Sequence, residues 1–243
     1  MIVLIITAVR IKSMDSHRIS GRILAENIAG PGMLRLVEQS MQARARKTSV
    51  MEITVKERKH PQAALTFDDG PHPSCTPLLL DGLKERGVKV TFFVIGLNVE
   101  RYPELVKREY EEGHIVGNHT YNHVEITRID SVKAKEEIEK TSQAVERITG
   151  RPTEYMRPPF GAWQKDLEKE MNVIPVLWTV DPLDWTTENE DEIVNKVVTD
   201  VRENDMILLH DCYKSSVHAA LRIIDLLRKE GYEFVTVDEL ILN

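Results

Sequence analysis

Only two cysteines, Cys75 and Cys212, occur among the 243 residues. That excludes a disulfide-rich scaffold and a four-cysteine zinc site, and it leaves the redox compartment open. Basic charge is in deficit as well: 32 Lys+Arg against 39 Asp+Glu give a net charge of −7. A nucleic-acid partner would require a basic face, so none is expected. The apolar start of the chain, residues 1–9, is followed by Arg10 and Lys12 and falls short of the roughly 20 residues that span a bilayer. It also lacks the basic stretch that precedes the apolar core of a signal peptide. Two readings stay open for it. One is the tail of a longer export or anchor segment, with the protein outside the cytoplasm and close to a membrane; the other is a buried strand. Internal repeats and low-complexity tracts are absent.

What is present is ordinary globular material, 42% hydrophobic and 29% charged, long enough to bury one large α/β core. The charge is uneven. Residues 1–61 hold 11 basic and 5 acidic side chains (+6), and the remaining 21 basic and 34 acidic give −13. A basic arm, residues 1–61, ahead of an acidic domain, residues 62–243, is the expected organisation. Within the arm, Leu34, Val37 and Met41 have the spacing of a short amphipathic helix. From Gln62 onward apolar runs alternate with amphipathic stretches. Strands are predicted at 63–67, 90–95, 115–116, 155–156, 173–180, 206–209 and 234–237. Helices are predicted at 76–86, 99–112, 131–148 with Ser131 as N-cap, 190–202 and 217–229. About seven β/α units in this length indicate a small or incomplete (β/α) barrel.

The polar signatures fall where strands end. Asp68 and Asp69 close the run Leu65-Thr66-Phe67 ahead of Gly70-Pro71. Side chains alternate along a strand, but at its exit both carboxylates can reach one pocket. His119 and His123 follow, with an i, i+4 spacing that sets two imidazoles on one face of a helical turn. The missing Glu after the first His separates this pair from the zinc-protease pattern. Met156-Arg157-Pro158-Pro159-Phe160-Gly161 is stiffened by two prolines, which fixes Arg157 and leaves the Phe160 N–H free. Val180-Asp181-Pro182-Leu183-Asp184-Trp185 is an acidic turn ending in an aromatic, and Leu208-Leu209-His210-Asp211 a strand closing on histidine. Taken singly, each segment also fits a plain strand-exit loop.

In this order, the five segments resemble the polysaccharide deacetylase family, the fourth family of carbohydrate esterases, over about residues 62–241. The resemblance implies a distorted (β/α) barrel that hydrolyses acetyl groups on sugar polymers. It implies a metal triad of Asp69, His119 and His123 for zinc, or cobalt in some members. Asp68 would be the general base, held by Arg157, and His210 the general acid, oriented by Asp184. Trp185 and Leu208 would wall an acetyl pocket, with the Phe160 N–H as oxyanion donor and Pro159 beside it. Phe160 departs from the tyrosine common at this position, which removes a phenolic contact but not the main-chain donor. The wording of the last two segments is most similar to bacterial peptidoglycan N-acetylglucosamine deacetylases. Chitin or chitooligosaccharide deacetylase and acetylxylan esterase are the alternatives, and a monomer is expected.

Two rival classes fit less well. A facial-triad iron oxygenase would call for an all-β scaffold and an H-x-D spacing, neither of which is found. A non-catalytic sugar-binding relative would have lost a base, ligand or acid, and all are retained. Cys75 lies seven residues after Asp68 and Cys212 two after His210. Since first and last strands of a barrel are neighbours, a disulfide joining the two loops is conceivable, with two free thiols as the equal alternative.

Overall fold

The computed structural model describes residues 60–241. The N-terminal expectations, the short helix at Leu34–Met41 and the apolar start, lie outside the described residues. Seven strands form one parallel sheet: β1 (Gln62–Asp68), β2 (Thr91–Val94), β3 (Ile115–Asn118), β4 (Tyr155–Met156), β5 (Ile174–Pro175), β6 (Asp205–His210) and β7 (Glu233–Val235). Their order is β5-β4-β3-β2-β1-β6, with β7 on β1. β6 runs along Ala63–Asp68 on one edge of β1, so β2, beside Thr66–Asp68, and β7, beside Gln62–Ala64, share the other. The sheet curls into a half-open barrel of the expected class.

β1 is buried from Ala63 to Asp68, as a central parallel strand covered on both faces must be. Helix α1 (Cys75–Arg86) buries Leu79, Leu80 and Leu83. It stops at Gly87, whose φ of 59° lets its N–H turn back to the Leu83 and Lys84 carbonyls. The helix expected over 99–112 is two: α2 (Gly96–Arg101) and α3 (Pro103–Glu111). Pro103 has no N–H to continue the first and is well suited to open the second. In α4 (Ser131–Thr149), Ala134, Ile138, Thr141 and Val145 make the buried stripe. Its N-cap is Asp130, which accepts the Lys133 N–H at 3.0 Å, rather than Ser131.

The strand expected over 173–180 is broken. Only Ile174–Pro175 pairs with β4, and Val180 forms an isolated bridge to Ile207 of β6. The intervening carbonyls of Val176 and Leu177 accept from the Arg157 guanidinium at 3.3 and 3.2 Å, so they leave the ladder. Helices α5 (Glu190–Asp200) and α6 (Lys214–Lys229) pack against each other and cover the β1–β6 side. The last strand stops at Val235, and α7 (Val237–Ile241) takes the residue expected to end it.

Candidate active site

The signatures at Asp68, His119, Arg157 and His210 lie at the C-terminal ends of strands, and that at Asp184 follows the isolated bridge at Val180. Asp68 ends β1 and Asp69 follows with φ 73°, a left-handed conformation that aspartate tolerates better than most residues. This turn, absent from a continuing strand, brings both carboxylates to one cleft. Gly70 is required beside them, because a Cβ there would strike the Asp211 carboxylate. His119 leaves β3 and is buried. No helical turn joins it to His123. The two approach through a loop with left-handed Thr120 (φ 60°) and His123 (φ 55°), and their rings stand 5.0 Å apart. The loop is held from α4: Glu137 accepts the N–H groups of Tyr121 and Asn122 at 3.0 and 2.8 Å and the Asn122 amide at 2.7 Å.

Asp69 Oδ1 lies 3.5 Å from His119 Nε2 and 3.3 Å from His123 Nε2. All three ligand atoms fall within 4.8 Å of one another. Asp69 Oδ1 is buried without a hydrogen-bond partner. His119 Nδ1 donates to the Arg157 carbonyl at 2.7 Å, which leaves the Nε2 lone pair facing Asp69. Burial, the largest influence, holds His119 neutral and pushes its pKa down to about 3. An orphaned carboxylate oxygen facing two imidazole nitrogens suits a divalent cation.

Asp68, 3% exposed, lies beside this triad and faces a second arrangement. Its Oδ1 accepts from Arg157 Nη1 at 2.9 Å, and Thr66 Oγ1 accepts from the same nitrogen at 2.6 Å. Arg157 is fully buried and stacks over Phe93, 4.3 Å from the ring centre. Burial raises the Asp68 pKa; Arg157 and His210 pull it back, and the balance stays above the ordinary aspartate value. The β1–β6 register pairs Asp68 directly with His210. Leu183, left-handed at φ 57°, turns the next segment so that Asp184 points inward and Trp185, 55% exposed, points outward. Asp184 Oδ1 accepts from His210 Nδ1 at 2.8 Å, and its Oδ2 accepts the His210 N–H at 2.8 Å. Burial opposes a charge on His210, but the Asp184 hydrogen bond and the surrounding carboxylates prevail, lifting its pKa to about 9.

A cavity of about 430 Å³ joins these groups. Asp68, Asp69, His119, His123, Phe160, Trp185, Leu208 and His210 line it. Arg157 and Asp184 lie beneath, bonded to Asp68 and His210. Pro159 does not line it: the ring is buried in the turn that gives Phe160 its φ of 61°. The Phe160 N–H has no hydrogen bond among the described residues. Cys75 and Cys212 come together as the barrel argument required, Cys75 Sγ lying 3.5 Å from the Cys212 carbonyl oxygen, but both are free thiols. Sequence reasoning missed Thr66, Glu137 and Asp211, the last buried against Thr76 and raised to about 7 by burial. It also passed over Tyr213, Asp181 and Trp178, which line the cleft. For Tyr213 a local signal was available, an aromatic three residues after the strand-end histidine.

A curled parallel α/β sheet carries at its strand ends an Asp-His-His group whose ligand atoms could hold a metal ion, with a carboxylate and a held imidazole beside it. The family model described as polysaccharide deacetylase matches residues 55–176. A peptidoglycan-N-acetylglucosamine deacetylase of Listeria monocytogenes is 41% identical over 76% of this chain and 40% of its own length. A peptidoglycan-N-acetylglucosamine deacetylase of Bacillus cereus is 40% identical over 73% of this chain and 87% of its own. The solved structure of peptidoglycan deacetylase PdaC from Bacillus subtilis superposes with a TM-score of 0.73 at 40% identity, covering 75% of this chain and 90% of that one. The chain thus belongs to the polysaccharide deacetylase family. It spans about two fifths of the Listeria protein's length.

Proposed function

We propose that this chain is a metal-dependent deacetylase that hydrolyses the acetamido group of N-acetylglucosamine in peptidoglycan. The observation that carries the reading is the register pair Asp68 and His210, one carboxylate and one imidazole facing each other next to Asp69, His119 and His123. The relatives named above for that activity support the choice of polymer. Asp69, His119 and His123 would hold the cation, with zinc suiting two imidazoles and a carboxylate and cobalt tolerated by the same donors. When bound, such a cation polarises an acyl oxygen and makes water more acidic.

The remaining chemistry belongs to the protein. Asp68, its Oδ1 held by Arg157, offers Oδ2 as the base that takes a proton from the attacking water. As the C–O bond forms, the unengaged Phe160 N–H faces the developing oxyanion; one such donor is typically worth about 3 kcal/mol. Trp185 and Leu208 enclose the acetyl methyl. His210, kept protonated by Asp184, gives its proton to the nitrogen as the C–N bond breaks, leaving acetate and a free amine. Environment separates the two roles: burial raises a carboxyl that Arg157 keeps usable as a base, and Asp184 raises an imidazole into an acid.

A wall polymer lies outside the cytoplasm, and that is where we place the activity. Among the described residues no helix is long and apolar enough to cross a membrane. No nucleic-acid partner is invoked, and a monomer suffices because every group in the mechanism comes from one chain. The test is acetate release, with mass spectrometry of the products, from peptidoglycan, chitooligosaccharides and acetylxylan offered to the zinc-loaded protein. Peptidoglycan should be deacetylated fastest. Faster turnover of either other polymer would reassign the substrate, and no release from any of the three would overturn the activity.

A further inference from the structure

We infer that Tyr213 is a specificity-determining residue that stacks on the sugar carrying the leaving amine; this rests on the deacetylase reading above. Tyr213 occupies the N-cap of α6, where its carbonyl accepts the Val217 N–H at 3.1 Å, yet its side chain makes no capping bond. Ser, Thr, Asp and Asn are the residues that stabilise such a position. A local rule broken at a position that lines the cleft points to function. The aromatic is instead 42% exposed, lines the cleft, and stands 6.3 Å from His210 with the planes at 72°.

Strand order gives that exposed ring its meaning. Phe160 follows β4 and lies 5.1 Å from the ring of His123. Tyr213 follows β6, and β3, β2 and β1 separate the two across the sheet. One aromatic therefore flanks the metal-ligand side of the cleft and the other the acid side. The departing nitrogen must come to His210, so the ring that bears it lies on the His210 side. A pyranose offers an apolar C–H face there, and Tyr213 offers a complementary flat surface. Trp185 and Leu208 enclose the methyl and leave Tyr213 to the sugar.

The full chain, zinc-loaded, is titrated calorimetrically with an N-acetylglucosamine tetramer, and its kinetics are compared on that tetramer and on 4-nitrophenyl acetate, which carries no sugar. In Tyr213→Ala the Kd for the tetramer should weaken about tenfold, the size of one lost aromatic face contact. The ratio of kcat/KM for tetramer to that for the aryl acetate should fall by a similar factor, carried by KM. Tyr213→Phe should restore both. An unchanged Kd and ratio would overturn the inference, as would a Phe variant as poor as the Ala variant, since the hydroxyl rather than the face would then matter. Tetramer binding that weakens in Tyr213→Ala while the wild type releases no acetate upholds the sugar contact and sinks the deacetylase reading alone.

Discussion

Asp184→Asn isolates the charge that keeps the His210 ring protonated. The imidazole stands at about 9 instead of 6.5; at 1.36 kcal/mol per pKa unit, that difference corresponds to roughly 3 kcal/mol favouring the protonated ring. Burial lowers the ring's pKa while Asp68 and Asp69 still raise it, so with the Asp184 charge removed the pKa should fall back toward 6.5. At pH 7.5 the wild-type ring is almost wholly protonated, whereas in the variant about one molecule in ten carries the proton. Turnover at pH 7.5 should drop at least about tenfold, and the deficit should close as pH falls below 6. The amide also cannot accept both the Nδ1–H and the His210 N–H on two oxygens, so one buried donor loses its partner, at a cost of about 1–3 kcal/mol. The linkage has a definite sign. A histidine raised on folding stabilises fully below its unfolded pKa near 6.5, and the gain is lost as pH rises through about 9. Denaturant melts of wild type and variant should therefore differ most near pH 6, and the gap should narrow toward pH 10 to the cost of the unpartnered donor. The measurements are the pH–rate profile and the NMR titration of His210. A basic limb that stays at its wild-type position in Asp184→Asn would remove the Asp184–His210 pair from the mechanism.

Two further outcomes concern buried charge. Arg157→Met should cost about 3–5 kcal/mol of stability, because it leaves Asp68 buried without its counter-charge. With Arg157 no longer lowering it, the Asp68 pKa rises further, so the acidic limb of the rate profile moves up. The stability loss should be largest at neutral pH and shrink toward pH 4, which urea titrations at several pH values check. Glu109 on α3 is fully buried with both oxygens unpartnered, and burial raises its pKa well above 4.5. An acid raised on folding loses stability as pH climbs above its unfolded value, so Glu109→Gln should gain on wild type between pH 4 and 8. The gain is expected to reach about 1–3 kcal/mol, and a pH-independent difference would contradict the assignment.

Much of the candidate site was legible because most of its residues sit at strand exits, where sequence order and chemistry coincide. Asp68 with Asp69, the two histidines, Arg157, Asp184 and His210 could all be named from their segments. Their means of convergence could not. The histidines were expected on a helical turn, whereas left-handed Thr120 and His123, tied down by Glu137 of another helix, bring them together. Likewise the strand over 173–180 reads as continuous until the Arg157 side chain, nearly twenty residues away in sequence, takes two of its carbonyls. Glu137, Thr66 and Asp211 act through contacts made across the fold, and no local pattern reports those. Pro103 was the exception, a local signal for the break between α2 and α3 that the apolar periodicity masked.

The division of labour between neighbouring carboxylates is the central claim, and a zinc titration of Asp68→Asn and Asp69→Asn alongside turnover tests it most directly. Asp68→Asn should bind zinc as the wild type does and lose turnover by roughly 10²-fold or more, the usual size of a general-base contribution. Asp69→Asn should bind zinc much more weakly, with activity recovering in part at high metal concentration. Two variants with the same zinc affinity and the same response to added metal would contradict the split of base and ligand.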